Sequence, residues 1–319
     1  MKRRSLLCLV FLFGLADCTG YSDLSTPIQM PATGYVLSED GLRLAYRIVG
    51  DGPKTVVVPL IHWNVDAFGS IAGDDFRFVF YDPQNRGGSD GSPDPTRVTL
   101  RSDLRDLDTV IRWTRAKKVS LIGTSYYGGL VARYAMEKPQ NVDRVVMVGA
   151  LPLESSTLFS YAPPERAVRV PEEERKALEA RRAGGLESKD PVEYCRQYWA
   201  LESRLSVARA EAGGLIADRC DFPNEWPRNI TWWAKSIFDS LGSWNWTFEA
   251  STLRAPVLLL HGTGDLRVPP ESSKQWRDRL PHGELLMIEG AGHSPWWDAP
   301  ETIFPAVGAF LRGGSLGGA

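Results

Sequence analysis

Two hydrophobic periodicities alternate along most of this chain. Residues 55–60 and 119–122 form short, almost continuous apolar runs, which are typical of strands covered on both faces of a sheet. Residues 100–113 instead carry leucine and isoleucine three or four positions apart, which is the spacing of an amphipathic helix. A chain in which strands and helices take turns predicts βαβ crossovers and a mostly parallel sheet.

The same pattern predicts an α/β fold with an eight-stranded sheet flanked by helices. The Asp40-Gly41 pair separates the first two extended runs and predicts a hairpin turn. The predicted strands are residues 35–37, 42–49, 55–60, 76–81, 119–122, 142–148, 256–260 and 284–288. The predicted helices are residues 100–113, 129–137, 272–280 and 301–311.

Residues 153–250 interrupt this alternation. They are rich in Glu and Arg in their first half and dense in aromatic residues in their second half, which indicates an inserted helical cap. The α/β core then consists of residues 34–152 and 251–312. The Gly-rich residues 313–319 predict a flexible tail.

The first residues are typical of a targeting segment. Basic residues 2–4 precede an apolar stretch, residues 6–15, that is too short to span a bilayer. We therefore predict a signal peptide over residues 1–18 and an exported protein. Residues 19–33 contain several Ser and Thr and two prolines, and they predict a tether to the fold.

Two routes of leader processing stay open. Residues 14–16 fit ordinary cleavage after a small residue, whereas residues 15–18 resemble a bacterial lipoprotein box that would leave Cys18 lipidated. The lipoprotein route predicts a periplasmic or membrane-anchored protein. Ordinary cleavage predicts a secreted one.

Composition narrows the classes of protein and partner. The 319 residues are 43% hydrophobic and 24% charged, which is enough apolar material for one large core and an insertion. The net charge is −2 with both signs interspersed, so we expect no nucleic-acid partner. His, Cys and acidic residues nowhere show ligand spacing, so we expect no metal and no organic cofactor.

Two cysteines belong to the folded body. Of the four in the chain, Cys8 lies in the leader and Cys18 at its end, which leaves Cys195 and Cys220. In an oxidising compartment these two thiols predict a disulfide within the insert. The alternative is two unpaired thiols buried as small apolar side chains.

Ser125 is the first candidate for catalysis. It stands in the sequence GTSYYGG, residues 123–129, between a predicted strand and a predicted helix. Such a turn exposes a serine hydroxyl above the carboxyl edge of a sheet. The helix N-terminus behind it supplies N–H groups for the negative charge that develops in acyl transfer.

At this turn the chain resembles the α/β-hydrolase family, and the resemblance extends over residues 34–311. The family pattern is GxSxG. Here Tyr127 occupies the position of the second glycine, and Gly128 follows it. The resemblance implies that Ser125 is the nucleophile of an acyl-transfer reaction, with a slightly different turn around it.

Two later segments complete the resemblance. HGTGDLRVP, residues 261–269, is similar to the segment whose Asp orients the catalytic base, and GAGH, residues 290–293, is similar to the loop that presents the catalytic His. The resemblance thus implies that Asp265 is the acid and His293 the base. The chain order Ser, Asp, His is the one expected for this fold.

The family also uses backbone donors to form an oxyanion hole. Residues 61–64 follow the first parallel strand, where the family has a His-Gly stretch, and Trp63 replaces the glycine. The resemblance implies that the N–H groups of Tyr126 and Asn64 form the hole. Residues 81–89 resemble the DxRGxGxS loop of the family, which braces the turns around the site.

Substrate recognition is expected to involve the insert. Residues 220–227 resemble the cap of proline iminopeptidases, whose carboxylates hold a substrate ammonium, and Glu193, Asp221 and Glu225 are candidates for that task; ordinary solvated or structural acids are the alternative. The candidate pocket residues are Trp63, Tyr127, Glu225, Trp226 and Trp296.

Three functions stay open. The first is hydrolysis of a small ester or amide, and the second is aminopeptidase action on short peptides. The third is a weakly catalytic ligand-binding protein, because Trp63 and Tyr127 stand where the family has glycine. The expected partner is a small molecule or short peptide, together with a membrane if Cys18 is lipidated.

Overall fold

The computed structural model describes residues 31–316, apart from residues 210, 211, 213–215 and 217. The predicted signal peptide, the lipidation candidate Cys18 and most of the predicted tether lie outside the described residues. Order along the tether begins slightly earlier than predicted, because the first strand already includes Thr33.

A mostly parallel sheet of eight strands organises the described residues. In chain order its strands are Thr33–Leu37 (β1), Arg43–Val49 (β2), Lys54–Pro59 (β3), Phe76–Tyr81 (β4), Val119–Thr124 (β5), Val142–Val148 (β6), Val257–Gly262 (β7) and Gly283–Ile288 (β8). Their spatial order is β1-β2-β4-β3-β5-β6-β7-β8. β1 and β2 pair antiparallel through the predicted hairpin, β2 pairs antiparallel with β4, and the later pairs are parallel. The predicted α/β sheet is confirmed.

Helices flank the sheet on both faces. Those that connect its strands or close the fold are Ile61–Phe68 (α1), Leu100–Thr114 (α2), Tyr126–Glu137 (α3), Glu271–Arg279 (α11), Pro295–Asp298 (α12) and Pro300–Arg312 (α13). Between β6 and β7 the described residues are helical at Ser155–Phe159 (α4), Glu165–Arg169 (α5), Glu172–Ala183 (α6), Leu186–Lys189 (α7), Pro191–Glu202 (α8), Pro227–Leu241 (α9) and Thr247–Ala250 (α10). The helical character predicted for the insert agrees with these elements.

The strands are apolar on both faces because both faces are covered. Val57 packs into the core with α2 and α3, whereas its neighbours Val56 and Val58 pack with α1 and α13 on the opposite face. This alternation of direction within one buried strand explains the continuous apolar run in the sequence. Among the helices of the described residues, none is both long and apolar enough to cross a membrane.

Cys195 and Cys220 are joined by a disulfide, with 5.8 Å between their Cα atoms. The bond connects α8 to the segment before α9, and both residues are buried. The predicted pairing is confirmed. At the other end of the fold, the N–H of Leu316 donates to a carboxylate oxygen of Glu284, while flexibility of the tail stays a prediction.

Candidate active site

Ser125 lies in a strained turn between β5 and α3. Its φ and ψ angles are 55° and −124°, in a region that residues other than glycine rarely adopt. The Ser125 N–H donates to the Val148 carbonyl at 2.9 Å, and its carbonyl accepts from the Leu151 N–H at 3.2 Å. The turn is therefore fixed to the carboxyl end of β6, and the half-buried serine is held at that edge of the sheet.

Two glycines make this turn possible. A Cβ atom on Gly123 would lie 2.1 Å from the Tyr127 carbonyl oxygen, and one on Gly128 would lie 2.5 Å from the Cβ of Ala150. In the family pattern, a glycine at position 127 would let the helix approach the strand end closely. Here Gly128 provides that close approach. The residue at that earlier position, Tyr127, is instead buried in the core.

Asp265 follows β7 and is completely enclosed. Its Oδ1 accepts hydrogen bonds from the N–H groups of Arg267 at 2.7 Å and Val268 at 2.9 Å. Its Oδ2 lies 2.7 Å from His293 Nδ1. Burial raises the pKa of Asp265, but the charge and hydrogen bond of His293, together with His261, outweigh burial and hold the pKa well below its usual range.

A second histidine contacts the same carboxylate. His261 Nε2 lies 3.0 Å from Asp265 Oδ2 and 3.2 Å from the Val268 carbonyl oxygen, while its Nδ1 lies 2.7 Å from Ser273 Oγ. His261 received no role in the sequence analysis, and this contact was missed. The available signal was its spacing, four residues before Asp265 at the end of a buried strand.

His293 meets the serine turn at the end of β6. A Cβ atom on Gly149, the residue directly after β6, would lie 3.1 Å from His293 Nδ1. The Ser125 N–H is bonded to the Val148 carbonyl, and His293 is bonded to Asp265. The structure therefore brings the three predicted catalytic residues to the same strand end. His293 is 9% exposed, so its ring is largely shielded from solvent.

The insert covers the loop that carries His293. Asp298 accepts hydrogen bonds from the N–H groups of Gly292 at 2.8 Å and Ala208 at 2.9 Å, and Ser294 donates to the Ser206 carbonyl at 2.6 Å. A Cβ atom on Gly292 would lie 2.7 Å from the carbonyl carbon of Val207. This segment of the insert is therefore in direct backbone contact with the histidine loop.

The expectation that the Asn64 N–H forms part of an oxyanion hole is wrong. Residues 61–64 are the first turn of α1, and the Asn64 N–H donates to the Leu60 carbonyl at 3.2 Å. The Ile61 N–H donates to Asp82 Oδ1 at 2.9 Å. His62 and Trp63 supply the remaining first-turn N–H groups, which have no acceptor one turn back within the helix.

Tyr126 remains compatible with its predicted role. It is the first residue of α3, where the backbone N–H has no helical acceptor. Its side chain points elsewhere, because the phenol hydroxyl donates to the buried carboxylate of Asp103 at 3.0 Å. Burial raises the pKa of Asp103, and the nearby Asp106 raises it further.

The structure contradicts the proposed role of Glu225 as a holder of substrate ammonium. Glu225 is 1% exposed. Arg86 donates two hydrogen bonds to its carboxylate, from Nε to Oε1 at 2.9 Å and from Nη2 to Oε2 at 3.0 Å. The Gly87 N–H donates to Oε1 as well. Burial raises the pKa of Glu225, but the charge and hydrogen bonds of Arg86 prevail and lower it to about 2. Both carboxylate oxygens are thus committed to the protein.

The other predicted acids and aromatic pocket residues are dispersed. Glu193 accepts a hydrogen bond from Gln197 on α8, and Asp221 is exposed. Trp226 donates to the Cys220 carbonyl at 2.8 Å. None of these contacts brings the three side chains to Ser125.

Two further pocket candidates are core residues. Trp296 is 3% exposed and packs against Phe68, and its place in a pocket stays a prediction. Tyr127 is 2% exposed and accepts a hydrogen bond from Arg86 at 3.3 Å. Trp63 is the candidate that lies at the carboxyl end of the sheet, half-buried in the first turn of α1.

One well-formed cavity lies away from the triad. It has a volume of about 530 Å³ and is bordered by the loop after β4 and by α9, with Asn85, Asn224 and Trp232 in its walls and without Ser125, Asp265 or His293. Within the described ranges, no group of three or more His, Cys, Asp and Glu side chains is arranged to hold a metal ion.

Comparisons with known proteins agree with this fold. Proline iminopeptidase from Lactobacillus helveticus is 23% identical over 284 residues, which cover 83% of this chain and 90% of that protein. A 2-hydroxy-6-oxononadienedioate/2-hydroxy-6-oxononatrienedioate hydrolase from a Pseudomonas species is 25% identical over 272 residues, covering 85% of this chain and 89% of that protein. The solved structure of esterase RhEst1 from Rhodococcus sp. ECU1013 matches with a TM-score of 0.65 at 21% identity, covering 89% of this chain and 100% of that one. A sequence profile of the alpha/beta hydrolase fold matches residues 64–300, and the chain belongs to this family.

Proposed function

We propose that this protein is a serine hydrolase that cleaves a small ester or amide through an acyl-enzyme intermediate. The observation that carries the proposal is the 2.7 Å contact between His293 Nδ1 and Asp265 Oδ2, at the strand end that also fixes the strained Ser125 turn. Asp265 orients the imidazole so that its other nitrogen, Nε2, is left for the serine hydroxyl.

The reaction follows from these roles. His293 Nε2 takes the proton of Ser125 Oγ as Oγ bonds to the substrate carbonyl carbon, and the same proton then passes to the departing alcohol or amine. The bond from the carbonyl carbon to that leaving group breaks. His293 then takes a proton from water as the water oxygen bonds to the acyl carbon. The bond from that carbon to Ser125 Oγ breaks, His293 returns the proton to Oγ, and the acid leaves. The Tyr126 N–H and a first-turn N–H of α1 from His62 or Trp63 stabilise the oxyanion.

Ester or simple amide substrates fit the site better than peptides with a free amino terminus. Aminopeptidase action has the support of the proline iminopeptidase relatives, but Glu225, the candidate for holding an ammonium, is already paired with Arg86. The ligand-binding alternative rested on Trp63 and Tyr127. For Tyr127, Gly128 supplies the close approach that a glycine at position 127 would give.

Hydrolysis assays with wild type and Ser125→Ala test this proposal. We expect wild type to hydrolyse 4-nitrophenyl acetate and butyrate faster than proline 2-naphthylamide, and Ser125→Ala to lose at least about 1,000-fold in kcat. Asn64→Ala serves as a control. It changes only the side chain of residue 64, so the backbone N–H groups of His62 and Trp63 and the oxyanion hole should stay in place. Ester hydrolysis that survives Ser125→Ala would refute the proposal.

We also propose that the protein is exported from the cytoplasm. The basic and apolar leader and the disulfide between Cys195 and Cys220 support an oxidising compartment outside the cytoplasm. If Cys18 carries a lipid, the protein should partition into Triton X-114 detergent after expression with its leader, and Cys18→Ser should shift it to the aqueous phase. Aqueous partitioning of both forms would favour ordinary cleavage and secretion.

A further inference from the structure

A buried arginine of the insert lies beside the first turn of α1. Arg219 is 3% exposed, and its Cζ lies 3.3 Å from the centre of the Trp63 ring and 4.4 Å from that of Trp199. The two rings contact each other edge to face at 5.4 Å. The guanidinium therefore stacks on aromatic faces, an arrangement that accommodates a cation without neutralising it.

The same part of the insert is anchored on α1. Phe222, three residues after Arg219, packs against the ring of His62 with 3.9 Å between ring centres. Trp63 Nε1 lies 3.5 Å from Glu225 Oε2. Arg219 is thus placed over the helix turn that supplies an oxyanion donor under the proposed function.

The charge of Arg219 is not balanced by the nearest carboxylate. Glu225 attracts Arg219 more strongly than the other acidic side chains do, but both carboxylate oxygens of Glu225 already accept hydrogen bonds from Arg86 and Gly87. Arg86 and Arg267 are further positive charges close enough to affect Arg219. Burial, opposed by Glu225, lowers the pKa of Arg219 to about 9, as expected for a cation removed from water.

Another acid near Arg219 is also engaged. Asp218 accepts hydrogen bonds from Arg196 Nε at 2.8 Å and from the Cys220 N–H at 2.9 Å. Among the residues that the structure describes, Arg219 Nη1 is buried and has no hydrogen-bond partner. A cavity of about 170 Å³ is lined in part by Trp199 and Arg219. Burying a guanidinium that has an unpaired N–H donor costs free energy unless an anion accepts a hydrogen bond from it.

We propose that Arg219 binds a carboxylate group of the substrate, so that the preferred substrates are monoesters of dicarboxylic acids. This inference rests on the proposed serine hydrolase function and names its substrate class. A planar carboxylate matches the donor geometry of a guanidinium, and the surrounding Trp63 and Trp199 faces suit the short apolar chain that would link it to the ester.

Two esters of equal shape test the proposal. Mono-4-nitrophenyl glutarate carries a terminal carboxylate, and 4-nitrophenyl 5-methylhexanoate replaces it with a neutral isopropyl group. We expect kcat/KM of wild type to be at least about 10-fold higher for the glutarate ester, with most of the difference in KM. Succinate and adipate monoesters measured alongside define the chain length.

Variants at Arg219 separate charge from shape. Arg219→Met keeps most of the apolar stem and should lower kcat/KM for the glutarate ester about 10- to 100-fold while changing the neutral ester less than about threefold. Arg219→Lys should recover part of the preference. Arg182→Met, which removes an exposed arginine of the insert outside this cavity, should behave as wild type.

Stability provides a second readout. Because Arg219→Met removes a buried charge with an unfilled donor, we expect its urea midpoint to be equal to or higher than that of wild type. A lower midpoint with an equal loss of both esters would indicate that Arg219 is only structural and would overturn the proposal.

The remaining outcomes distinguish this inference from the proposed function. Equal use of the two esters by wild type, with both activities lost in Ser125→Ala, overturns the carboxylate site and leaves the serine hydrolase intact. Activity that persists in Ser125→Ala overturns the proposed function itself.

Discussion

His261 and His293 share one oxygen of Asp265. His261 Nε2 lies 3.0 Å from Asp265 Oδ2, and His293 Nδ1 lies 2.7 Å from the same atom. Because the two partners of His261 Nε2 are a carboxylate and a carbonyl, which only accept, that nitrogen carries a proton. Its Nδ1 can then accept a hydrogen bond from the hydroxyl of Ser273. His261 is therefore positioned to hold the acid in place and to share its charge.

Replacing His261 should slow the reaction without weakening substrate binding. Without the His261 donor, Asp265 Oδ2 loses one of the two groups that hold it beside His293, so kcat for 4-nitrophenyl butyrate should fall about 10-fold in His261→Phe with little change in KM. His261→Gln, whose amide N–H can replace Nε2–H, should recover most of the wild-type kcat. Equal kcat in all three proteins would argue against a positioning role.

The ion pair between Arg86 and Glu225 should be costly to break but replaceable. Glu225→Gln leaves the buried Arg86 without its carboxylate partner, and we expect the free energy of unfolding to fall by about 3–5 kcal/mol. The double variant Arg86→Met/Glu225→Met removes both charges and should lose less. Urea unfolding measures both. A double variant less stable than Glu225→Gln would contradict this account.

The same pair makes a defined contribution to acid stability. The pKa of Glu225 is lowered from 4.5 to about 2, so the stabilisation is fully present above pH 4.5 and is lost as the pH falls toward 2. Between these values wild type should lose more stability than the double Met variant. Parallel pH curves of the urea midpoint over this range would contradict the prediction.

Reduction of the disulfide should loosen the insert before the sheet. Cys195 and Cys220 are 25 positions apart, and closing a loop of this length stabilises a fold by about 3 kcal/mol in the chain-entropy description. Cys195→Ala/Cys220→Ala should show faster hydrogen exchange in α8 and in residues 218–226, with β5 and β6 unchanged. Uniform acceleration throughout the sheet would show that the bond stabilises the whole unit instead.

The sheet was predictable because its signals are local. The strand bounds at Phe76–Tyr81 and Val142–Val148 agree with the predicted ones, since short segments rich in aromatic or β-branched residues favour strands over helices. Helix α3 starts at Tyr126 rather than at residue 129, because glycines 128 and 129 mask the helical pattern of the turn.

The contacts of the site were less predictable because they join distant segments. Arg86 and Glu225 are 139 positions apart, and nothing local to Glu225 distinguishes a carboxylate paired with an arginine from one free to bind substrate. Asn64 was misplaced for a different reason. Residues 61–68 are too short and mixed for a helical period to appear, so the helical hydrogen bond of the Asn64 N–H was not foreseen.

The nucleophile is the residue on which the whole account depends. Incubation with a fluorophosphonate, followed by intact mass and peptide mapping, tests it most directly. We expect wild type to gain one phosphonyl adduct, located on Ser125, together with loss of ester hydrolysis, and Ser125→Ala to gain none. An adduct on another residue, or full inactivation of wild type without modification of Ser125, would contradict the central claim.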